Sequence, residues 1–127
     1  LDIPVFGVCT LDGLAESAGL AGEYAVATDA RRKEVYWARY AGLNRVGGPQ
    51  VSRPDDAGKA LAGLPVVGAG AALYPDAFPD RREPQLPTAA ALARWVSAGR
   101  PTLPPLPLYL RRPDAVSPGP PKRVSPR

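Results

Sequence analysis

Apolar positions recur along the chain in blocks whose spacing predicts alternating strands and helices. Pro4 to Cys9 (Pro-Val-Phe-Gly-Val-Cys) is a short unbroken apolar run, the pattern of a strand covered on both faces. Thr10 follows as the expected N-cap, with Asp12 in the first turn, where a carboxylate suits the helix dipole. Leu11, Leu14, Ala15 and Ala18 then repeat at i, i+3, i+4 and i+7, the stripe of a helix that Gly19 can close. Tyr24 to Thr28 and Val35 to Tyr40 are two further strands, rich in β-branched and aromatic residues. The polar turn Asp29 to Glu34 between them is too short for a crossover, so the two strands should be antiparallel neighbours. Gly47-Gly48-Pro49 reads as a loop, and Pro54 with Asp55 and Asp56 opens a short helix toward Leu61, ended by Gly63. Pro65 to Ala69 is the next strand, and Gly70 to Pro84 a long irregular loop carrying Tyr74 and Phe78. Thr88 caps the clearest helix, with Leu92, Trp95 and Val96 as its apolar stripe and Gly99-Arg100-Pro101 as its stop. Leu106 to Leu110 is expected as a final edge strand, because prolines before it are tolerated only at an edge. The order β-α-β-β-α-β-α predicts an α/β layered domain with no internal repeat.

Composition narrows the chemistry. The 127 residues include 17 prolines, 13 glycines, one cysteine and no histidine. Without imidazole there is no Ser-His or Cys-His nucleophile, no His-ligated zinc and no base that titrates near neutrality unaided. Cys9 alone cannot form an internal disulfide, so a reducing cytoplasm is the expected setting. No apolar run approaches the ~20 residues of a membrane helix, and no charged-then-apolar signal segment opens the sequence. The net charge of +4 invites a nucleic-acid partner until its position is counted. Residues 1 to 110 hold 11 Lys and Arg against 11 Asp and Glu, whereas residues 111 to 127 hold Arg111, Arg112, Lys122, Arg123 and Arg127 against Asp114. Nine of the prolines also lie between Pro101 and Pro126. Residues 114 to 127 are therefore expected to be a flexible, proline-rich basic tail beside a folded region of residues 1 to 113. A solubilising terminus is the simpler role for it, and a clamp on RNA phosphates the alternative.

Three features offer chemistry. Asp29 and Glu34 flank the hairpin turn as paired carboxylates do in acid-base catalysis, but Arg31, Arg32 and Lys33 stand between them and more simply form a solvated, ion-paired turn. Gly68-Ala69-Gly70 after a strand has the start of a phosphate cradle, yet only two glycines match and no convincing helix follows. A tight strand-end turn is the simpler account. Cys9 precedes a helix start that can depress a thiol pKa, and without a histidine partner it reads as a core cysteine. Trp37 and Trp95 fall on strand and helix patterns as core or interface aromatics.

Four elements together resemble one family. Gly7-Val8-Cys9-Thr10-Leu11-Asp12-Gly13-Leu14-Ala15, the Asp29 to Ala38 element Asp-Ala-Arg-Arg-Lys-Glu-Val-Tyr-Trp-Ala, Val67-Gly68-Ala69-Gly70-Ala71, and Leu108-Tyr109-Leu110-Arg111-Arg112-Pro113-Asp114-Ala115 occur in the order and spacing of TsaB, or YeaZ-like, proteins. The resemblance spans residues 3 to 115. It implies a mixed sheet with flanking helices, one lobe of the ribonuclease-H-like, actin-like ATPase fold. It also implies a cytoplasmic, non-catalytic scaffold subunit that pairs with TsaD, with TsaE joining, while tRNA is modified to threonylcarbamoyladenosine. The missing histidines agree with a subunit whose partner holds the metal and performs the chemistry.

The family's N-terminal lobe, with an Ile-Asp-Thr-like first strand and a Gly-Pro-Gly-Ser-Phe-Thr-Gly-like loop, has no counterpart here. The expectation is a C-terminal lobe alone, isolated by fragment design or by proteolysis, with exposed apolar surface that invites a homodimer. A second departure is Cys9, where relatives often carry serine. On the same resemblance, Asp29, Arg31, Arg32 and Glu34 are the candidate partner or interlobe surface, with no catalytic and no metal-ligating residue. Gly68 and Gly70 are the candidates for residual ATP binding; no cofactor is otherwise expected. The competing reading is a glycoprotease-like, M22-type hydrolase using Cys9, Asp29 or Glu34.

Overall fold

The hairpin expected between Tyr24 and Tyr40 lies at the centre of the sheet. In the computed structural model, which describes residues 7–104, β1 (Glu23–Asp29) pairs antiparallel with β2 (Val35–Ala41) from Glu23 opposite Ala41 to Asp29 opposite Val35. Further along the chain come β3 (Asn44–Ser52), β4 (Val66–Val67) and β5 (Arg81–Arg82), giving a five-stranded sheet of order β3-β2-β1-β4-β5. β3 runs antiparallel to β2, whereas β4 runs parallel to β1 and β5 parallel to β4. The predicted α/β mixed sheet with flanking helices is the architecture observed.

Alternation along β1 divides the core in two. Tyr24 and Val26 point to the face covered by α1 (Thr10–Ala18), with Leu11, Leu14, Ala15, Ala38 and Tyr40. Ala25 and Ala27 point to the other, where α2 (Pro54–Ala60) and α3 (Ala69–Leu73) bring Ala57 and Ala71 against Val35, Trp37, Val66 and Phe78. Outside α1 lies α4 (Ala89–Ser97), tied to it by Arg94 Nε on Glu16 at 3.1 Å and by the Thr88 N–H donated to Ser17 Oγ at 3.2 Å. Thr88 caps α4 as expected, its Oγ1 accepting from the Ala91 N–H at 3.0 Å. Trp95, 2% exposed, donates from Nε1 to the Pro101 carbonyl at 2.7 Å, which fixes the chain just after the helix.

Several sequence expectations need correction. The residue at the N-cap of α1 is Cys9, without a side-chain cap, and Thr10 is already helical. The buried stripe of α4 is Ala91 and Trp95, four residues apart, which leaves Val96 on the flank, 37% exposed. Gly47-Gly48-Pro49 is no loop but the middle of β3. An edge strand tolerates a proline, and the register shifts between Trp37 and Tyr40 absorb a Gly48 with φ +91°. Within the expected loop 70–84 the chain forms most of α3 and then β5, two elements too short to leave a periodic pattern. The expected first strand survives at Gly7, which exchanges two 2.7 Å backbone bonds with Leu103. Its earlier residues, the expected strand 106–110 and the tail 114–127 lie outside the described residues.

Candidate functional site at the carboxyl end of the sheet

Parallel strands align their carboxyl ends, and α/β sheets bind ligands in the crevice beyond those ends. Asp29 ends β1, and Gly68 follows β4, its parallel neighbour. Two of the sequence candidates, the Asp29–Glu34 turn and the Gly68–Gly70 segment, are thus brought to one end of the sheet.

Both are committed to the fold there. Asp29 Oδ1 accepts the Arg31 N–H at 2.9 Å. The Ala30 N–H bonds to the Glu34 carbonyl and the Glu34 N–H to the Arg31 carbonyl, each at 2.9 Å. Between them Arg31, Arg32 and Lys33 have φ of +62°, +52° and +57°, three consecutive left-handed residues that each cost about 1 kcal/mol or more. All three cations are exposed and Glu34 is half-buried. Gly68, with φ +112°, lies so close to β1 that a Cβ would sit 2.3 Å from the Ala27 carbonyl oxygen; one on Gly70 would sit 3.0 Å from the Thr28 nitrogen. The glycines let α3 approach the β1 backbone, the work of a tight strand-end turn.

Cys9 is elsewhere. It is 8% exposed and packed with Leu11, Leu14 and Tyr40, with Arg45 Nη1 3.9 Å from its sulfur. Beside it lies a polar cluster that sequence reasoning missed. Asp12, 3% exposed, accepts a 2.5 Å hydrogen bond from the Tyr40 hydroxyl and has Arg45 Nε at 3.7 Å. Tyr24 stacks on Tyr40 with centroids 5.6 Å apart and donates to the Gly42 carbonyl at 2.7 Å. Burial, then the charges of Glu16 and Asp12, push the Tyr24 hydroxyl up to about 12. Burial and the Asp12 hydrogen bond raise Tyr40 as well. Such a cluster holds a helix in register on a sheet, and its burial keeps ligands out. The sequence signal was Asp12 itself, set between Leu11 and Leu14 on the face that must be buried. Among the described residues, no three His, Cys, Asp or Glu side chains are grouped to hold a metal ion, and no helix is long and apolar enough to cross a membrane.

The family model described as TsaD, tRNA N6-adenosine threonylcarbamoyltransferase, matches residues 1–70, more than half of the chain. The chain belongs to this family. A solved Pseudomonas aeruginosa structure described as an uncharacterized protein with similarity to peptidase YeaZ matches at a TM-score of 0.62 and 28% identity, covering 82% of this chain and 57% of that one. YeaZ from the same organism matches at 0.59 and 27%, covering 80% and 58%. The TsaB-like, actin-like ATPase fold expected from the four sequence elements is therefore the fold of this TsaD-family chain. Uncharacterized proteins of Mycobacterium tuberculosis and Mycobacterium leprae are 47% identical over 119 residues and 45% identical over 120. Each match takes in 91% of this chain, but only 53% and 31% of the relative's length. The chain spans about half the length of most curated relatives it matches.

Proposed function

We propose that the chain is the C-terminal lobe of a TsaB-type scaffold subunit, non-catalytic itself, that works with TsaD and TsaE homologues in making threonylcarbamoyladenosine in tRNA. The observation that carries this reading is the use made of the sheet's carboxyl end. Asp29 fastens its own turn, and Gly68 and Gly70 make room for the β1 backbone, so the residues best placed for chemistry serve the fold. A chain with no histidine suits a subunit whose partner supplies metal ligands and performs the transfer. On this reading the protein is cytoplasmic, needs no cofactor of its own and meets tRNA through the complex. The exposed turn Arg31–Lys33 then belongs to the surface that meets a partner or the other lobe.

The test uses the full-length protein that contains this lobe, with purified TsaD and TsaE homologues and unmodified tRNA. It should co-purify with the TsaD homologue, and omitting it should abolish modification. Undiminished modification in its absence would overturn the proposal. The hydrolase alternative draws support from the peptidase likeness in one neighbour's description. It requires peptide turnover by the full-length protein that alanine at Cys9, Asp29 or Glu34 removes; the scaffold reading requires none.

A further inference from the structure

We propose that the cavity between the Arg31–Lys33 turn, the start of α2 and the Leu73–Ala77 segment binds a small zwitterion, a free α-amino acid with an apolar side chain. Its volume is about 270 Å3, and its lining includes Lys33, Arg53, Asp55, Leu73, Tyr74 and Asp76. That is just below the roughly 300–1,000 Å3 of sites for drug-sized ligands, a scale that suits a single amino acid.

Charge selects the ligand class. Two cations and two carboxylates line one small space, and among the described residues none of the four side chains forms a hydrogen bond or ion pair. Elsewhere three cations have an acidic partner, Arg45 with Asp12, Arg82 with Asp80 and Arg94 with Glu16. A simple anion entering the cavity would gain Lys33 and Arg53 but meet Asp55 and Asp76, and a simple cation would meet the reverse. A zwitterion satisfies both sets. Its carboxylate matches the guanidinium fork of Arg53 and the Lys33 ammonium, and its ammonium matches the two aspartates. Leu73, 55% exposed, and Tyr74 offer the apolar surface that a hydrocarbon side chain would cover.

The walls are already in place. Lys33 is the last of the three left-handed residues, a strained conformation of the kind that collects at ligand clamps and persists where its surroundings enforce it. The Ala77 and Phe78 N–H groups both bond to the Tyr74 carbonyl at 3.1 Å, closing the turn that carries Asp76, and Phe78 anchors it at 1% exposure. A Cβ on Gly58 would lie 2.6 Å from the Ala77 carbonyl oxygen, so α2 rests directly on that turn. The backbone of the site is thus largely ordered before a ligand arrives, and the main ordering cost falls on the exposed Lys33 and Arg53 side chains. The site is separate from Asp29, Gly68 and Gly70, and it does not depend on the scaffold proposal.

Isothermal titration of the full-length protein tests it, with L-leucine, L-leucinol, 4-methylpentanoate and inorganic phosphate as separate probes. L-leucine should bind saturably, and leucinol and 4-methylpentanoate, each lacking one charge, at least about tenfold more weakly. Lys33→Gln with Arg53→Gln should weaken L-leucine by a similar factor while leaving the melting temperature unchanged, because both side chains are exposed. Absence of saturable L-leucine binding would overturn the proposal. So would phosphate or 4-methylpentanoate binding as tightly as L-leucine, or the double variant binding L-leucine like the parent.

Discussion

The two faces of the sheet are held by different physics. Under α1, two stacked tyrosines and a buried carboxylate form a directional network, with Tyr40 donating to Asp12 at 2.5 Å and Tyr24 to the Gly42 carbonyl at 2.7 Å. Under α2 and α3, the core is Ala25, Ala27, Ala57 and Ala71 around Trp37 and Phe78, and α3 comes close to β1 because Gly68 and Gly70 have no side chain to keep it away. The first face depends on a polar partner in addition to its packing. The second depends on close approach, since close-packed backbone cannot yield to an added methyl group. The face built on close approach is also the one that frames the carboxyl end of β1 and β4.

The contrast is sharpest at Gly68. Gly68→Ala adds a Cβ that would lie 2.3 Å from the Ala27 oxygen at φ +112°, so it should cost more than about 3 kcal/mol in chemical denaturation. On the other face Tyr40→Phe should cost about 1–3 kcal/mol, since it leaves the buried Asp12 carboxylate without its closest donor. If Gly68→Ala cost no more than Tyr40→Phe, the distinction between the faces would fail.

The tyrosine face should also be the alkali-sensitive one. Tyr24 is raised from 10.0 to about 12 and Tyr40 is raised too, so the folded chain keeps protons that the unfolded chain releases first. Their contribution to stability is complete below the unfolded value of 10.0 and drains away as pH climbs toward about 12. Denaturant midpoints should fall across that window, and Tyr24→Phe should reduce the fall. A flat profile would contradict the network. The smallest effect belongs to Asp80, whose carboxyl the Arg82 hydrogen bond holds below its usual range although both side chains are about half exposed. Solvent screens that pair, so Asp80→Asn should leave the denaturation midpoint unchanged.

The central hairpin was legible from its β-branched and aromatic runs, α1 from its apolar periodicity, α2 from Pro54 at its start and α4 from the Thr88 cap. β3 was not, since Gly47, Gly48 and Pro49 are punctuation in a sequence yet fit a bulged edge strand in space. α3 and β5 span five and two residues, below the length at which any periodicity shows. At the site, the sequence identified the Asp29 turn and the Gly68–Gly70 segment separately. Only the parallel pairing of β1 with β4 revealed that they share one end of the sheet. The Asp12–Tyr40–Arg45 cluster escaped because its three members lie 28 and five positions apart, on elements whose pairing had to be known first.

On the proposed scaffold role, the carboxyl end of this sheet would frame a complex without performing its chemistry. That role is tested most directly by reconstituted tRNA modification with the full-length protein carrying Asp29→Asn, an amide that still accepts the Arg31 N–H and so preserves the turn. The account predicts a modification rate within about twofold of the parent, since no proton transfer at Asp29 is lost. A fall of about a hundredfold or more at an unchanged melting temperature would make Asp29 a catalytic group and contradict the account.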